Sequence, residues 1–198
     1  TDKVNAIINC HLATGRIGKP GMGPFSVTGQ PNAMGGREVG GLSNALACHL
    51  DIEDETHREL VRHFWNAPTM PQGAGLKALD MFDRVRTGQI KALWIVCTNP
   101  AVSMPDADVV RDAIAACDFV VVSDVTAHTD TARLAHVLLP ATGWGEKDGT
   151  VTNSDRTISR QRSVLPAPGV ARPDWAIMCD VARRMGFGTA FDYASPAE

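Results

Sequence analysis

The sequence predicts an α/β fold: a parallel β-α-β sheet flanked by helices, with a glycine-rich loop region before it and a β-ribbon excursion after it. Three observations carry this prediction. Between residues 89 and 140 the runs KALWIVCTN, FVVVSDV and HVLLP read as buried strands, rich in branched and aromatic side chains. The segments between them, DADVVRDAIAAC and DTARLA, read as helices, the first with Val109, Val110, Ala113, Ile114 and Cys117 on one side. Strands separated by helices in this way pair in parallel through right-handed crossovers.

The elements before the sheet follow in order. Val4, Ile7, Ile8 and Leu12 recur at helical spacing and Gly15 stands where that helix should stop. Nine of the 18 glycines then lie between Gly15 and Gly41, interspersed with Met22, Phe25, Val27 and Met34. That mixture predicts a compact irregular loop rather than a flexible linker, its glycines allowing positive φ and close backbone approach. A helix is expected from Arg37 to Leu50 and a second from Glu55 to Trp65. A third is expected in GLKALDMFDRVRTG, with Leu76, Leu79, Phe82 and Val85 on its buried face.

After Pro140 the pattern changes. GTVTNSDRTISRQRSV alternates polar and apolar residues around NSD, the signature of a β-hairpin or irregular ribbon. Pro173 suits the first position of a final helix, PDWAIMCDVARRMGF. The chain therefore divides into a helix and glycine-rich loop (1–50), a helical stretch (51–88), the parallel core (89–140), the ribbon (141–172) and the terminal helix and tail (173–198). Its opening, TDKVNAIINCHLATG, has neither an initiator Met nor a signal pattern, and its last residues, FDYASPAE, stop abruptly. The expectation is an interior piece of a longer chain.

A formal charge of −3 argues against a nucleic-acid surface, and no apolar run approaches the roughly 20 residues of a membrane span. Five cysteines, Cys10, Cys48, Cys97, Cys117 and Cys179, include no CxxC pair. They read as reduced thiols, three of them in apolar segments, which favours a reducing compartment and leaves no iron–sulfur or zinc set within the chain. His57 and His63 fall on a polar helix and suggest no metal site.

In an open parallel sheet, ligands bind beyond the carboxyl ends of the strands. The first strand ends in Thr98-Asn99-Pro100 and the second in Ser123-Asp124. A carboxylate such as Asp124 suits the paired N–H donors of a guanine edge or the hydroxyls of a ribose, and Asn99 offers an amide to the same kind of group. Both residues equally suit capping of the helices or turns that follow. Lys147 in WGEKDG can neutralise a phosphate or stand on an exposed hairpin. Asp174 is explained equally by the dipole of the last helix. Arg156, Arg160 and Arg162 suit an anion, a partner domain or a solvated ribbon. No GxGxxG follows a strand and no GxxxxGK[ST] is present, so the usual nicotinamide and ATP fingerprints are absent.

Four segments, HLATGRIGKPGMGPFSVTGQPNAMGGREVGG, WIVCTNPAVSMPD, VVVSDVTAHTDTARLAHVLLPATGWGEKDGTVTNSDRTISR and PDWAIMCDVARRMG, together resemble the large catalytic subunits of the molybdopterin oxidoreductases. The resemblance covers nearly the whole chain in the family's order. It implies molybdenum on two molybdopterin guanine dinucleotides (bis-molybdopterin guanine dinucleotide), contacted at positions matching Asn99, Ser123, Asp124, Lys147 and Asp174. Gln30 matches a glutamine near the pterin and metal. Arg37 resembles an arginine lining the substrate funnel of nitrate reductases, where a fixed cation attracts an oxyanion, although an ion pair with Glu38 is the competing role.

Within the family, TGQPNAMGGREVGG is most similar to the cytoplasmic assimilatory nitrate reductases, with formate dehydrogenase alpha subunits the nearest alternative. The glycine-rich loop would then let backbone approach the pterin while the cofactor carries the chemistry. The implied reaction is two-electron reduction of nitrate to nitrite, with electrons arriving through an iron–sulfur cluster held elsewhere in the parent. The implied partners are the remaining domains of the parent subunit and an electron-donor protein or domain. The molybdenum ligand is not identified in this chain, and the piece alone is expected to be inactive. A freestanding nucleotide-binding or interaction module is the alternative of another class.

Overall fold

A computed structural model describes residues 2–26 and 29–198; Val27 of the glycine-rich stretch lies outside them. Helix α1 (Asp2–Ala13) forms where the spacing of Val4, Ile7 and Leu12 predicts it, and Gly15 follows with φ +60°. The helix nevertheless buries none of its residues, so its apolar stripe faces outward.

The helix expected from Arg37 to Leu50 is replaced by a shorter, earlier one, α2 (Ala33–Glu38). A turn and a single 3-10 turn at Ala47–His49 follow it. Gly40 is the physical reason. It adopts φ +78°, and a Cβ there would stand 2.6 Å from the Leu46 carbonyl carbon. Helix cannot continue through that conformation, and the close approach lets Leu46 reach a satellite core with Ile52 and Val61.

Helix α3 (Glu55–Trp65) matches expectation and contributes Val61 to that core. Its N-cap, Asp54, accepts hydrogen bonds from the Thr56 and His57 amides, satisfying two of the orphan donors of the first turn. Helix α4 (Ala78–Arg86) buries Phe82 and Val85. Leu76 and Leu79, expected on the same buried face, are exposed.

The sheet follows: β1 (Ala92–Val96), the short helix α5 (Pro100–Ser103), α6 (Ala107–Ala116), β2 (Phe119–Asp124) and β3 (Val137–Pro140). The strands lie in the order β1-β2-β3 and all pair in parallel, Ile95 opposite Val122 and Val122 opposite Leu138. The last crossover, expected as a short helix, is a single 3-10 turn at Ala132–Leu134. Alternation sends Leu93, Ile95, Val120 and Val122 to one face, where α4 and α6 cover them. Val110, Ala113, Ile114 and Cys117 complete that core, while Val109, expected among them, is exposed. Cys117 and Cys179 are buried thiols, but Cys10, Cys48 and Cys97 are exposed, fewer buried than expected.

The ribbon is an antiparallel hairpin, β4 (Gly149–Thr152) paired with β5 (Ile158–Gln161). Asn153 shapes its turn by accepting from the Asp155 and Thr157 amides. Arg172 then runs alongside the end of β3, bridging to Ala141 in parallel, and α7 (Asp174–Arg184) starts there. Pro173 occupies the N-cap, one residue ahead of the expected first helical position. The parallel pairing therefore delivers Asn99, Asp124 and Asp174 to one edge of the sheet. No helix of the described residues is long and apolar enough to cross a membrane.

Candidate functional site

β1 ends in a sharp turn at Cys97, which takes φ +56° while its amide still donates to the Ser123 carbonyl at 3.2 Å. Asn99 stands at the N-cap of α5, yet its side chain does not cap that helix. Its Oδ1 accepts from the Thr131 amide at 3.2 Å and the Thr131 hydroxyl at 2.6 Å. Among the described residues no hydrogen bond occupies the Asn99 amide nitrogen.

At the end of β2 the Ser123 side chain is buried and its oxygen accepts from the Trp94 indole at 2.9 Å. The half-buried Asp124 carboxylate accepts from the Thr126 amide at 3.4 Å and the Thr129 hydroxyl at 3.3 Å. These are long contacts to the turn that follows, the structural role anticipated as the alternative to ligand binding. They are weak enough to leave acceptor capacity on both oxygens.

Lys147 and Asp174 form the tightest part of the cluster. The ammonium lies 3.3 Å from Asp174 Oδ2, with the two side chains 25% and 16% exposed. The Cys97 thiol also donates to Oδ2, at 3.7 Å. Asp174 Oδ1 is buried and has no hydrogen-bond partner among the described residues. A shielded carboxylate oxygen without a donor is costly, so this atom calls for one from water or a ligand. Beside it runs a groove of about 620 Å³ between the ribbon and α7, lined by Lys147, Thr150, Gln161, Asp174, Trp175 and Tyr193. That volume lies within the usual range for small-molecule sites. Asn99, Ser123 and Asp124 stand outside this lining.

Cys97 reports on how closely these groups share one field. Loss of solvent around the sulfur pushes its thiol above the ordinary value, and the Asp174 and Asp124 carboxylates push the same way against Lys147. Alkylation of Cys97, followed by peptide mass mapping at pH 8, is therefore expected to accelerate about threefold in Asp174→Asn and to slow in Lys147→Met. Equal rates in all three proteins would show that the sulfur does not sense the pair.

Gln30 and Arg37 lie elsewhere. Both are exposed, and α2 docks against the ribbon rather than the strand ends. Asn32 Oδ1 accepts from the Thr152 amide at 2.9 Å, and Glu38 faces Arg156 at 3.8 Å. Glu38 thus pairs with Arg156 instead of Arg37, and Arg37 makes no ion pair among the described residues. Sequence reasoning missed Thr131, Cys97 and Asn32 as participants. Thr131 carries no local signal, since its partner lies 32 residues away.

Comparison with known proteins decides the family: the molybdopterin oxidoreductase model matches residues 1–184. This chain belongs to the molybdopterin oxidoreductase family. Membership implies a molybdenum–pterin cofactor. A Klebsiella oxytoca protein named nitrate reductase is 54% identical over the whole chain, which spans 23% of that protein. The assimilatory nitrate reductase catalytic subunit of Bacillus subtilis is 38% identical over 98% of the chain and 28% of its own length. Acetylene hydratase from Pelobacter acetylenicus shares the fold, with a TM-score of 0.52 and 22% identity over 63% of this chain and 18% of that one. The chain thus spans about a quarter of the length of the curated relatives it matches.

Proposed function

We propose that this chain forms the guanine-dinucleotide-binding portion of a molybdenum-dependent nitrate reductase, working as one segment of a longer polypeptide. The observation that carries the reading is the Lys147–Asp174 pair with its unpartnered buried oxygen, at the carboxyl edge of a parallel sheet. Identity of 54% to a nitrate reductase, against 38% to a formate dehydrogenase alpha subunit, favours nitrate as the parent's substrate.

The residues fit the dinucleotide form of the cofactor. A guanine edge and ribose hydroxyls present donors, which Asp174 Oδ1 and the weakly engaged Asp124 can accept. Phosphates present negative charge, which Lys147 offsets, and they accept from the free amide of Asn99. Ser123 supports this edge through its bond with Trp94. When bound, the molybdenum–pterin group supplies the two-electron chemistry that takes nitrate to nitrite. The chain's own part is to bind, orient and neutralise the nucleotide arm.

Arg37, exposed and outside any ion pair among the described residues, is a fixed cation that draws the oxyanion toward the pterin side, and Gln30 lines the same approach. An iron–sulfur cluster and the remaining domains belong to the rest of the polypeptide, and an electron-donor protein or domain is the partner that feeds it. Exposed Phe25, Phe64 and Val164 are apolar surface for those domains to cover. The likeness to an assimilatory nitrate reductase supports a cytoplasmic enzyme.

Calorimetric titration of the chain with GDP tests the binding role. Saturable binding is expected, weakened at least about tenfold in Asp124→Ala by loss of charge-assisted hydrogen bonds. Equal affinity in both proteins would remove Asp124 from the site. Turnover of nitrate but not formate by the full-length parent is the expected result for substrate.

A further inference from the structure

Thr131 is completely buried, on the turn that leads into β3, and every one of its hydrogen-bonding groups near Asn99 is engaged. Its amide and its hydroxyl both donate to Asn99 Oδ1, at 3.2 and 2.6 Å. Its own oxygen accepts from the Ala101 amide at 3.1 Å. With Asn99 Oδ1 fixed by the Thr131 amide, the hydroxyl directs its proton to the same oxygen while its own oxygen accepts from Ala101. A backbone N–H can face only an acceptor, so the atom of Asn99 turned inward must be the oxygen. The amide nitrogen is consequently turned outward with both its protons available. Reversing the amide would set its N–H2 against the Thr131 backbone N–H, a group that can only donate, beside a completely buried residue.

We propose that Thr131 is a positioning residue that fixes the polarity of Asn99, so that the site offers a donor there and takes only an acceptor atom of the bound nucleotide. This rests on the nucleotide-binding reading above. The acceptor is a phosphate oxygen or a base carbonyl; a ribose hydroxyl proton or a base amino group is refused at this point. The selectivity is thus set by a residue that touches no ligand.

Three variants of the full chain test the assignment. Asn99→Asp keeps an oxygen facing Thr131 and puts a second oxygen where the nitrogen was. It is expected to unfold at the parent's temperature while binding GDP at least about tenfold more weakly. Thr131→Val keeps the shape and removes the hydroxyl, and GDP affinity is expected to fall about tenfold, whereas Thr131→Ser restores it to within about threefold. Inorganic diphosphate and guanosine, titrated separately, separate the two acceptors: weakening of the first by Asn99→Asp identifies a phosphate oxygen, and of the second a base carbonyl. Weakening of neither overturns the proposal, as does an Asn99→Asp protein that loses stability and keeps its affinity.

Because Thr131→Val also strips the Ala101 amide of its acceptor, a second readout is needed that does not depend on ligand. The Asn99 side-chain N–H2 signals in NMR, identified by their absence in Asn99→Asp, are expected to move in Thr131→Val and return in Thr131→Ser. A parent chain that binds no GDP refutes nucleotide binding by this chain, and the NMR comparison still decides the role of Thr131. Signals unmoved in Thr131→Val overturn it.

Discussion

Ile114→Ala lowers the stability of the chain by about 3–4 kcal/mol, the upper part of the range for emptying a sealed aliphatic site. Ile114 is 0% exposed and lies in the core that α4 and α6 build on one face of the sheet, among Phe82, Val85, Val120 and Val122. Its removal takes away transfer free energy and leaves a cavity, because strand and helix backbones on both sides are held by their own hydrogen bonds and cannot collapse into the space. Against a typical total of about 5–15 kcal/mol, this one change consumes a large share. Val109→Ala on the exposed side of the same helix is the control and costs less than about 1 kcal/mol. Urea unfolding followed by circular dichroism reads both. A loss below about 1 kcal/mol for Ile114→Ala would mean that α6 is not seated on the sheet as described.

Lys147→Met destabilises by about 2 kcal/mol on its own, and the double variant Lys147→Met/Asp174→Asn recovers most of that loss. Removing the cation strands a carboxylate that is 16% exposed and, among the described residues, keeps only the Cys97 thiol as a donor. Breaking a fully buried pair costs about 3–5 kcal/mol, and the partial exposure of Lys147 lowers the figure here. Neutralising Asp174 as well removes the stranded charge, so stability returns to within about 1 kcal/mol of the parent. Affinity for GDP behaves differently. Both proteins lose the cation proposed to face the phosphates, and both are expected to bind at least about tenfold more weakly. Recovery of stability without recovery of binding separates the pair's two roles. If binding returned with stability, the pair would serve only the fold.

These two experiments probe parts of the molecule that were unequally legible. The core around Ile114 was readable because a buried strand and a one-sided helix each write a periodic pattern into a few consecutive residues. The groove beside Asp174 was not, because its walls come from the ribbon, α7 and the tail, which carry no mutual signal. Leu79 and Val109 show the limit of periodicity, since each has the right spacing for its helix's buried face but lies on the rim of that face, outside the core. Arg37 and Glu38 show the limit of proximity in sequence. Adjacent residues on α2 point apart, and the acid is taken by Arg156 of the ribbon turn.

By itself the sequence determined the three parallel strands, the helix of the first crossover, a ribbon after them and the polar residues at the strand ends, and through its motifs the family. Those are local properties: turn chemistry, capping and apolar spacing act over a few residues. Only the tertiary structure decided that α2 stops short of Gly40, that Thr131 orients Asn99, and that Cys97, Lys147 and Asp174 meet around one carboxylate oxygen. The last two depend on a close approach between segments far apart in the chain, and the free energy of such a contact is set by the packing of the elements that carry it.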